Sequence, residues 1–284
     1  MNDVPFSSKI ARESGSSFYW SFFFLSRPKR NAILVVYAFS RLVDDAVDEA
    51  ASEEAARTEI SLWRRRLAAC YGEGDVRDPA LAHPLLPELK ETAARFSIPK
   101  AYFDDLLSGM EMDLSKKRYE DFGELKTYCY HVAGTIGLLC NHLFGYDDEA
   151  GRRYAVLLGE AFQLTNIIRD VGKDAGLGRI YLPRRELERF GVEEKDLLEG
   201  KATEGFYRLM NFEADRAEDT FRKAFSELPD KKRKKIVPAE MMAAFYRSLL
   251  RKTRAENFPV FRKKVSLNRL EKFKLAAKTL AGAL

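Results

Sequence analysis

Apolar residues recur along this 284-residue chain with the three- and four-residue spacing of amphipathic helices. Strict alternation of apolar and polar residues, the mark of strands, is almost absent. The pattern predicts helices at 31–50, 53–71, 85–96, 99–115, 122–144, 148–171, 203–227 and 236–255. Helices joined by short breaks predict one all-α bundle. The segment 172–200 is expected to be one long irregular stretch, which is often functional.

An acidic stretch, SRLVDDAVDEA, directly follows the apolar run AILVVYAF. Asp44 and Asp48 are four residues apart and share one helix face, with Arg41 one turn before them. Two like charges at this spacing weaken a helix unless a cation lies between them. Asp45 and Glu49 each lie about 100° further around the helix than Asp44 and Asp48. We therefore expect them to be solvated or to lie behind the ligands.

A second polar face is predicted in FQLTNIIRDVGKDAGLGRIYLP, where the polar residues have the spacing i, i+3, i+7 and i+11. These residues are Gln163, Asn166, Asp170 and Asp174. Such a face between apolar neighbours is costly to bury without partners. Its two acids repeat the D-x-x-x-D spacing, so the two helices could face each other. Carboxylates without thiolates suit Mg²⁺, which completes its shell with water and phosphate. The pattern predicts a Mg²⁺–diphosphate site, with Arg41 and Arg169 as further phosphate contacts.

Composition sets limits on the other classes of function. The chain is 46% hydrophobic, enough for a sizeable core, and has a net charge of +5. The basic excess is concentrated in PDKKRKKIVP and in the tail from Arg251 onward. A basic tail fits a phosphate-bearing ligand, an anionic membrane surface or a solvated helix face. The KKRKK run has no interleaved aromatic residues, so we do not expect nucleic-acid binding.

The chain contains three cysteines without a CxxC pair, and three histidines without metal-ligand spacing. This pattern argues against a disulfide framework or a zinc site and fits a reducing cytosol. No apolar run reaches the ~18 residues that span a bilayer, and no signal-peptide pattern is present. We expect a cytoplasmic protein, soluble or peripheral on the inner face of the membrane.

Five segments together resemble the squalene/phytoene synthase family of head-to-head prenyl transferases: YAFSRLVDDAVDE, GMEMDL, YCYHVAGTIGLL, FQLTNIIRDVGKDAGLGRIYLP and AFYRSLL. The resemblance covers nearly the whole chain. Within the family, GSSFYWSFFFL, GMEMDL and GRIYLPRREL are most similar to bacterial presqualene diphosphate synthases of squalene and hopanoid biosynthesis. The family resemblance implies a single-domain, isoprenoid-synthase-type helical bundle over residues 1–284, with a central cavity and a basic tail from about residue 265.

The resemblance also implies the site residues. Two or three Mg²⁺ ions would be held by Asp44, Asp48, Asp170 and Asp174, with Arg41 and Tyr128 as further catalytic residues. The implied substrate-binding residues are Ser17, Phe18, Tyr37, Val132, Ala133, Ile136, Gly137, Gln163, Asn166, Tyr246 and Lys264. Lys264 stands where the family usually has an arginine, and lysine lacks the bidentate fork. Arg262 or Lys263 could replace it after a small shift.

The implied activity is condensation of two farnesyl diphosphates to presqualene diphosphate. Squalene or dehydrosqualene synthesis and phytoene synthesis from two geranylgeranyl diphosphates are the alternatives. No Rossmann or Walker loop is present, which weakly disfavours an NADPH step. Head-to-tail synthases share D-D-x-x-D but carry a paired arginine soon after it, and here EAASEEAAR follows. A catalytically inactive scaffold relative would be expected to lose the paired acids, and all four are present. The oligomeric state is left open.

Gly134 and Gly137 interrupt a predicted helix, where each costs about 1 kcal/mol relative to alanine. The close approach of another helix or of a ligand would explain them. Close helix packing is the commoner reason, and we expect it here.

Overall fold

Helices form the regular structure of this protein. The computed structural model describes residues 5–13, 22, 25–73, 78–233 and 236–282. Within these ranges there is no strand, and one isolated bridge joins Arg118 and Ile180. The all-α prediction is therefore confirmed. None of the described helices is long and apolar enough to cross a bilayer.

The helices of the first half are α1 (Phe6–Glu13), α2 (Arg27–Asp48), α3 (Glu53–Cys70), α4 (Leu86–Phe96), α5 (Lys100–Ser115), α6 (Phe122–Cys129) and α7 (Thr135–Phe144). Those of the second half are α8 (Glu149–Gly176), α9 (Arg184–Phe190), α10 (Glu194–Leu198), α11 (Glu204–Glu227), α12 (Asp230–Arg233), α13 (Val237–Ala255) and α14 (Arg269–Leu280). A π-helical turn, Tyr130–Gly134, separates α6 from α7, and a 3₁₀ turn spans Pro79–Leu81.

Each of the eight predicted helical segments is helical in the structure, with α6, the π turn and α7 together forming the predicted 122–144 segment. The expectation of one irregular stretch at 172–200 is wrong. Helix α8 continues to Gly176, and the stretch then contains α9 and α10. Both are one or two turns long, which is too short for apolar periodicity to reveal them. Helix α14 in the basic tail is also additional.

The chain divides into two compact units. The first contains Met1–Ser115 and Thr135–Ala155, and the second contains Lys116–Gly134 and Val156–Leu284. The chain passes between the units three times: where α5 ends, at the junction of the π turn with α7, and inside α8. The single-domain organisation stays a prediction.

In the first unit, α2 positions the first acidic pair. Its apolar side is buried, and Phe39 on that side packs edge-to-face against Trp63 and Phe103, with ring centroids 5.6 and 5.0 Å apart. Because a helix with one buried side must turn its other side outward, Asp44 and Asp48 stay accessible. The core of this unit therefore fixes the direction of the acidic face.

Gly137 explains how α7 can approach α8 within the first unit. A Cβ atom at Gly137 would lie 2.4 Å from the carbonyl oxygen of Ala155. In the second unit, a Cβ at Gly134 would lie 3.6 Å from Val156 Cγ1. Close helix packing accounts for Gly137, as expected, and Gly134 makes a looser contact of the same kind.

The second unit contains a buried charged network that links α9 and α11. Arg216 Nη1 lies 2.9 Å from both carboxylate oxygens of Glu213, and Arg216 also pairs with Glu186. Burial, followed by the hydrogen bond to Glu186, raises the pKa of Glu213 well above its usual range. A protonated Glu213 lets two acids share one arginine. Arg216 also stacks over Phe122, with its guanidinium carbon 4.0 Å from the ring centroid.

Candidate active site

The first acidic pair carries an incompletely neutralised charge. The Asp44 side chain is 46% exposed, and Asp48 is exposed one turn later. Partial burial, followed by the charge of Asp48, raises the pKa of Asp44 to about 6, although Arg41 acts in the opposite direction. The charge of Asp113 adds a smaller effect of the same sign. A divalent cation between these carboxylates would relieve this repulsion, so the donor set fits Mg²⁺.

Arg41 is shared between two carboxylates of the same helix. Its Nη1 atom lies 3.3 Å from Asp44, while its Nε and Nη2 atoms contact the two oxygens of Asp45 at 3.1 and 2.5 Å. The charges of these acids outweigh burial and raise the pKa of Arg41. Asp45 thus holds the guanidinium and leaves one contact for Asp44. Tyr37 lies one turn earlier, is half-buried and interacts electrostatically with Arg41.

The second acidic pair belongs to a polar ladder on α8. The four polar residues predicted there are all half-buried, while neighbouring Leu164, Ile167 and Ile168 are buried. Asn166 Nδ2 donates to Gln163 Oε1 at 3.4 Å. The helix therefore presents its amides and acids on one side, as the spacing indicates.

Cations surround Asp170, in contrast to Asp44. Arg169 Nε donates to Asp170 Oδ1 at 2.8 Å, and a second guanidinium nitrogen contacts Oδ2. Lys264 Nζ lies 4.0 Å from Asp170 Oδ1. The Asp170 side chain is 16% exposed. Although burial opposes the charged form, the hydrogen bond and charge of Asp170 raise the pKa of Arg169. The sequence left Arg262 and Lys263 as alternatives to Lys264, and the structure places Lys264 beside this ladder.

Tyr246 joins the same ladder from α13. Its ring stacks on Phe162 with centroids 4.4 Å apart. Burial raises the pKa of Tyr246, whereas the charge of Arg169 and a hydrogen bond with Asn166 act in the opposite direction. Residues from α8, α13 and the segment after α13 therefore converge around Asp170.

Gly172 permits the approach of the segment that carries Lys264. A Cβ atom at this position would lie 2.3 Å from the carbonyl oxygen of Val260 and 3.1 Å from Phe261 Cα. Phe261 packs in turn on the ring of Phe206, with centroids 5.0 Å apart. Gly172 is not among the predicted site residues, although a glycine midway between two acids on a helix is a signal of close approach.

A shallow pocket lies beside Asp174 in the second unit. It has an empty volume of about 220 Å³, part of it open to solvent. Asp174, Arg179 and Tyr181 line it together with aliphatic side chains. Tyr181 stacks on Tyr128 with centroids 5.1 Å apart, and the Tyr128 hydroxyl donates to the Tyr181 hydroxyl at 3.4 Å. Tyr128 is buried, so its link to this pocket runs through Tyr181.

The residues expected beside the prenyl chains lie around the π turn. Val132 is buried, whereas Ala133, Ile136 and Gly137 are half-buried. A Cβ atom at Gly159 would lie 2.4 Å from the carbonyl oxygen of Ala133. Their substrate contacts stay a prediction, as does the central cavity. Ser17 and Phe18 lie outside the described residues.

Each acidic pair provides two carboxylates rather than a complete metal shell. In the described ranges, no three His, Cys, Asp or Glu side chains gather at one point. Mg²⁺ is commonly bound by one or two carboxylates, with substrate phosphate and water as the other ligands. The two-carboxylate donor sets are compatible with that mode of binding.

Comparison with known proteins identifies the family. The family model for squalene/phytoene synthases matches residues 11–271, which is most of the chain. The chain belongs to the squalene/phytoene synthase family. Members of this family are prenyl transferases that use prenyl diphosphates and typically depend on a divalent metal ion. The predicted family and enzyme class are therefore confirmed.

Curated relatives in this family carry the name phytoene synthase. A phytoene synthase of Mycobacterium bovis is 36% identical over 281 residues, which cover 98% of this chain and 90% of that protein. A 15-cis-phytoene synthase of Synechococcus elongatus is 33% identical over 268 residues, which cover 90% and 85%. These names favour the phytoene alternative over the presqualene diphosphate expectation.

Solved structures in the family share the fold. A dehydrosqualene synthase in complex with a ligand superposes with a TM-score of 0.83 at 29% identity, covering 97% of this chain and 94% of the other. Squalene synthase HpnC of Alicyclobacillus acidocaldarius has a TM-score of 0.79 at 27% identity, covering 89% and 93%. The protein has the isoprenoid-synthase-type all-α fold.

Proposed function

We propose that this enzyme condenses two allylic prenyl diphosphates head to head, with Mg²⁺ held by Asp44, Asp48, Asp170 and Asp174. The observation that carries the proposal is that both D-x-x-x-D pairs are present, each on one helix with an arginine contacting its first acid. Inactive scaffold relatives would be expected to lose such acids. Their presence supports catalysis rather than assembly.

The first candidate reaction is phytoene synthesis from two geranylgeranyl diphosphates. The curated relatives named phytoene synthase support it, since they match over at least 90% of this chain. This candidate replaces presqualene diphosphate synthesis as the leading hypothesis.

The second candidate uses two farnesyl diphosphates and ends at presqualene diphosphate, dehydrosqualene or squalene. It is supported by the likeness to a dehydrosqualene synthase and to squalene synthase HpnC. The motifs GSSFYWSFFFL and GRIYLPRREL support the same candidate. Both candidates share the first step and differ in chain length and in the later fate of the product.

The chain's own residues would organise the ionisation step. Bound Mg²⁺ supplies charge neutralisation for a departing diphosphate. Arg41 and Arg169 lie beside the first acid of each pair, so both are placed to donate to diphosphate oxygens. Lys264, next to Asp170, adds a point charge. As the carbon–oxygen bond breaks, the electron pair leaves with the diphosphate and an allylic cation remains.

The carbon–carbon bond forms when the 2,3 double bond of the second substrate attacks this cation. Loss of one proton then closes a cyclopropane ring. Tyr128 or the released diphosphate accepts that proton, and Tyr181 is placed to hold the Tyr128 hydroxyl. Val132 and Ile136 are apolar groups suited to shielding the cation from water. Holding two chains together supplies much of the rate through orientation.

The test is product analysis with separate substrates. The pure protein is incubated with farnesyl or geranylgeranyl diphosphate, with Mg²⁺ or EDTA, and with or without NADPH, and products are identified by mass spectrometry. We expect phytoene from geranylgeranyl diphosphate only when Mg²⁺ is present. A product from farnesyl diphosphate alone would select the second candidate. If neither substrate reacts with wild-type protein that circular dichroism shows to be folded, the proposed activity is wrong.

A further inference from the structure

Helix α14 is firmly held at its N-terminal end. Asn268 caps it, accepting from the Glu271 amide at 2.9 Å, while the Glu271 side chain accepts from the Asn268 amide. Lys252 on α13 binds Glu271 at 2.9 Å and the carbonyl of Ser266 at 3.0 Å. A capped helix tied to its neighbour has a defined inner side and a defined outer side.

The outer side of α14 is apolar. Leu270, Phe273 and Leu280 are 61%, 72% and 49% exposed. Their spacing of three and then seven residues puts them on one side of the helix. In the described part of the chain, they account for three of the five exposed large hydrophobic residues, the others being Leu177 and Leu198. The exposed apolar surface is thus concentrated on one helix.

Basic residues surround this apolar side. Exposed Lys274 and Lys278 border it, and Arg269 precedes Leu270. Residues 268–282, which contain α14, hold four basic residues and one acid, a net charge of +3. The family model ends at residue 271, so most of α14 lies beyond the segment that this model covers.

We propose that the outer face of α14, formed by Leu270, Phe273 and Leu280 with Lys274 and Lys278 at its border, binds an anionic lipid bilayer. Apolar and aromatic side chains bordered by lysines are typical of helices that lie in a membrane interface. A second copy of the chain is the less suitable occupant, because two such basic segments repel each other. This surface is separate from the proposed chemistry, and its use does not depend on which prenyl diphosphate reacts.

The test uses the full chain and vesicles of phosphatidylcholine with or without about 30% phosphatidylglycerol. Sedimentation measures binding, and Phe273→Trp reports insertion as a blue shift relative to wild type, which contains two tryptophans. We expect binding only to anionic vesicles, weakened by salt as screening increases. Leu270→Ser/Phe273→Ser and Lys274→Gln/Lys278→Gln should each weaken binding by about tenfold or more. Turnover with detergent-dispersed substrate should be unchanged.

Leu198→Ser is the matched control, because Leu198 is a comparably exposed leucine on α10. It should bind vesicles as wild type does. The proposal is overturned if wild type ignores anionic vesicles, or if the Leu270/Phe273 variant binds them equally well. A concentration-dependent dimer in light scattering that this variant abolishes would assign the face to a second copy instead.

Discussion

The two D-x-x-x-D pairs have the same spacing and opposite electrostatic surroundings. Asp44 shares its arginine with Asp45 and faces the like charge of Asp48, so its carboxyl is partly uncompensated. Asp170 is more buried and is contacted by Arg169 and Lys264. The difference teaches that Asp44 is only partly compensated by positive charge, whereas Asp170 has two cationic neighbours.

Loss of either pair should stop turnover. Asp44→Asn and Asp170→Asn should each lower kcat by about 100- to 1,000-fold or more, since each removes a metal ligand that stabilises the departing charge. Steady-state assays with both prenyl diphosphates measure this effect, with Lys173→Gln as the control on exposed α8 surface. Near-wild-type activity in either variant would show that the corresponding pair is not a metal site.

The free energy of unfolding should differ between Asp44→Asn and Asp170→Asn. Asp170→Asn leaves the largely buried Arg169 without its carboxylate and should cost about 1–3 kcal/mol in urea unfolding. Asp44→Asn removes a repelled charge that water already screens, so stability should be unchanged or rise by less than about 1 kcal/mol. Equal losses of stability in the two variants would contradict the proposed asymmetry.

Gly172→Ala tests how the cations reach the second pair. A methyl group there would lie 2.3 Å from the Val260 carbonyl, so the segment carrying Lys264 must shift. We expect a loss of about 1–3 kcal/mol in stability and a raised KM for the diphosphate. Gly176→Ala is the control, because its Cβ would have no neighbour within 4 Å. Identical KM values in Gly172→Ala and Gly176→Ala would show that Gly172 does not affect substrate binding at the site.

The pH dependence of metal binding should come from the first pair. The pKa of Asp44 is raised to about 6, so ionisation of this carboxyl lowers the stability of the folded protein. This cost is absent below about pH 4, grows as the pH rises, and is complete above about pH 6. A metal ion must displace this proton in acid. Affinity for Mn²⁺, followed by its electron paramagnetic resonance, should fall about fourfold from pH 7.5 to 5.5. In Asp44→Asn, the remaining Mn²⁺ affinity should no longer change between pH 7.5 and 5.5. If the change with pH persisted in this variant, a group other than Asp44 would be responsible for it.

Much of the helix order was predictable because apolar periodicity is a local property. The eight long helical segments were found, but α9 and α10 were missed because each spans too few residues to show a period. The acidic pairs were predictable for the same reason, since four-residue spacing alone puts Asp44 with Asp48 on one helix face. The family followed from the motifs, while the product expectation was less well supported than its phytoene alternative.

What the sequence by itself determined is which residues share a helix face, because that depends on spacing within one element. Only the tertiary structure decided which distant residues meet. Lys264 lies beside Asp170 because Gly172 lets a later segment approach α8, and no local pattern encodes that contact. It also decided that α14 turns Phe273 outward. Burial and charge compensation are properties of surroundings, so equal motifs acquire unequal chemistry.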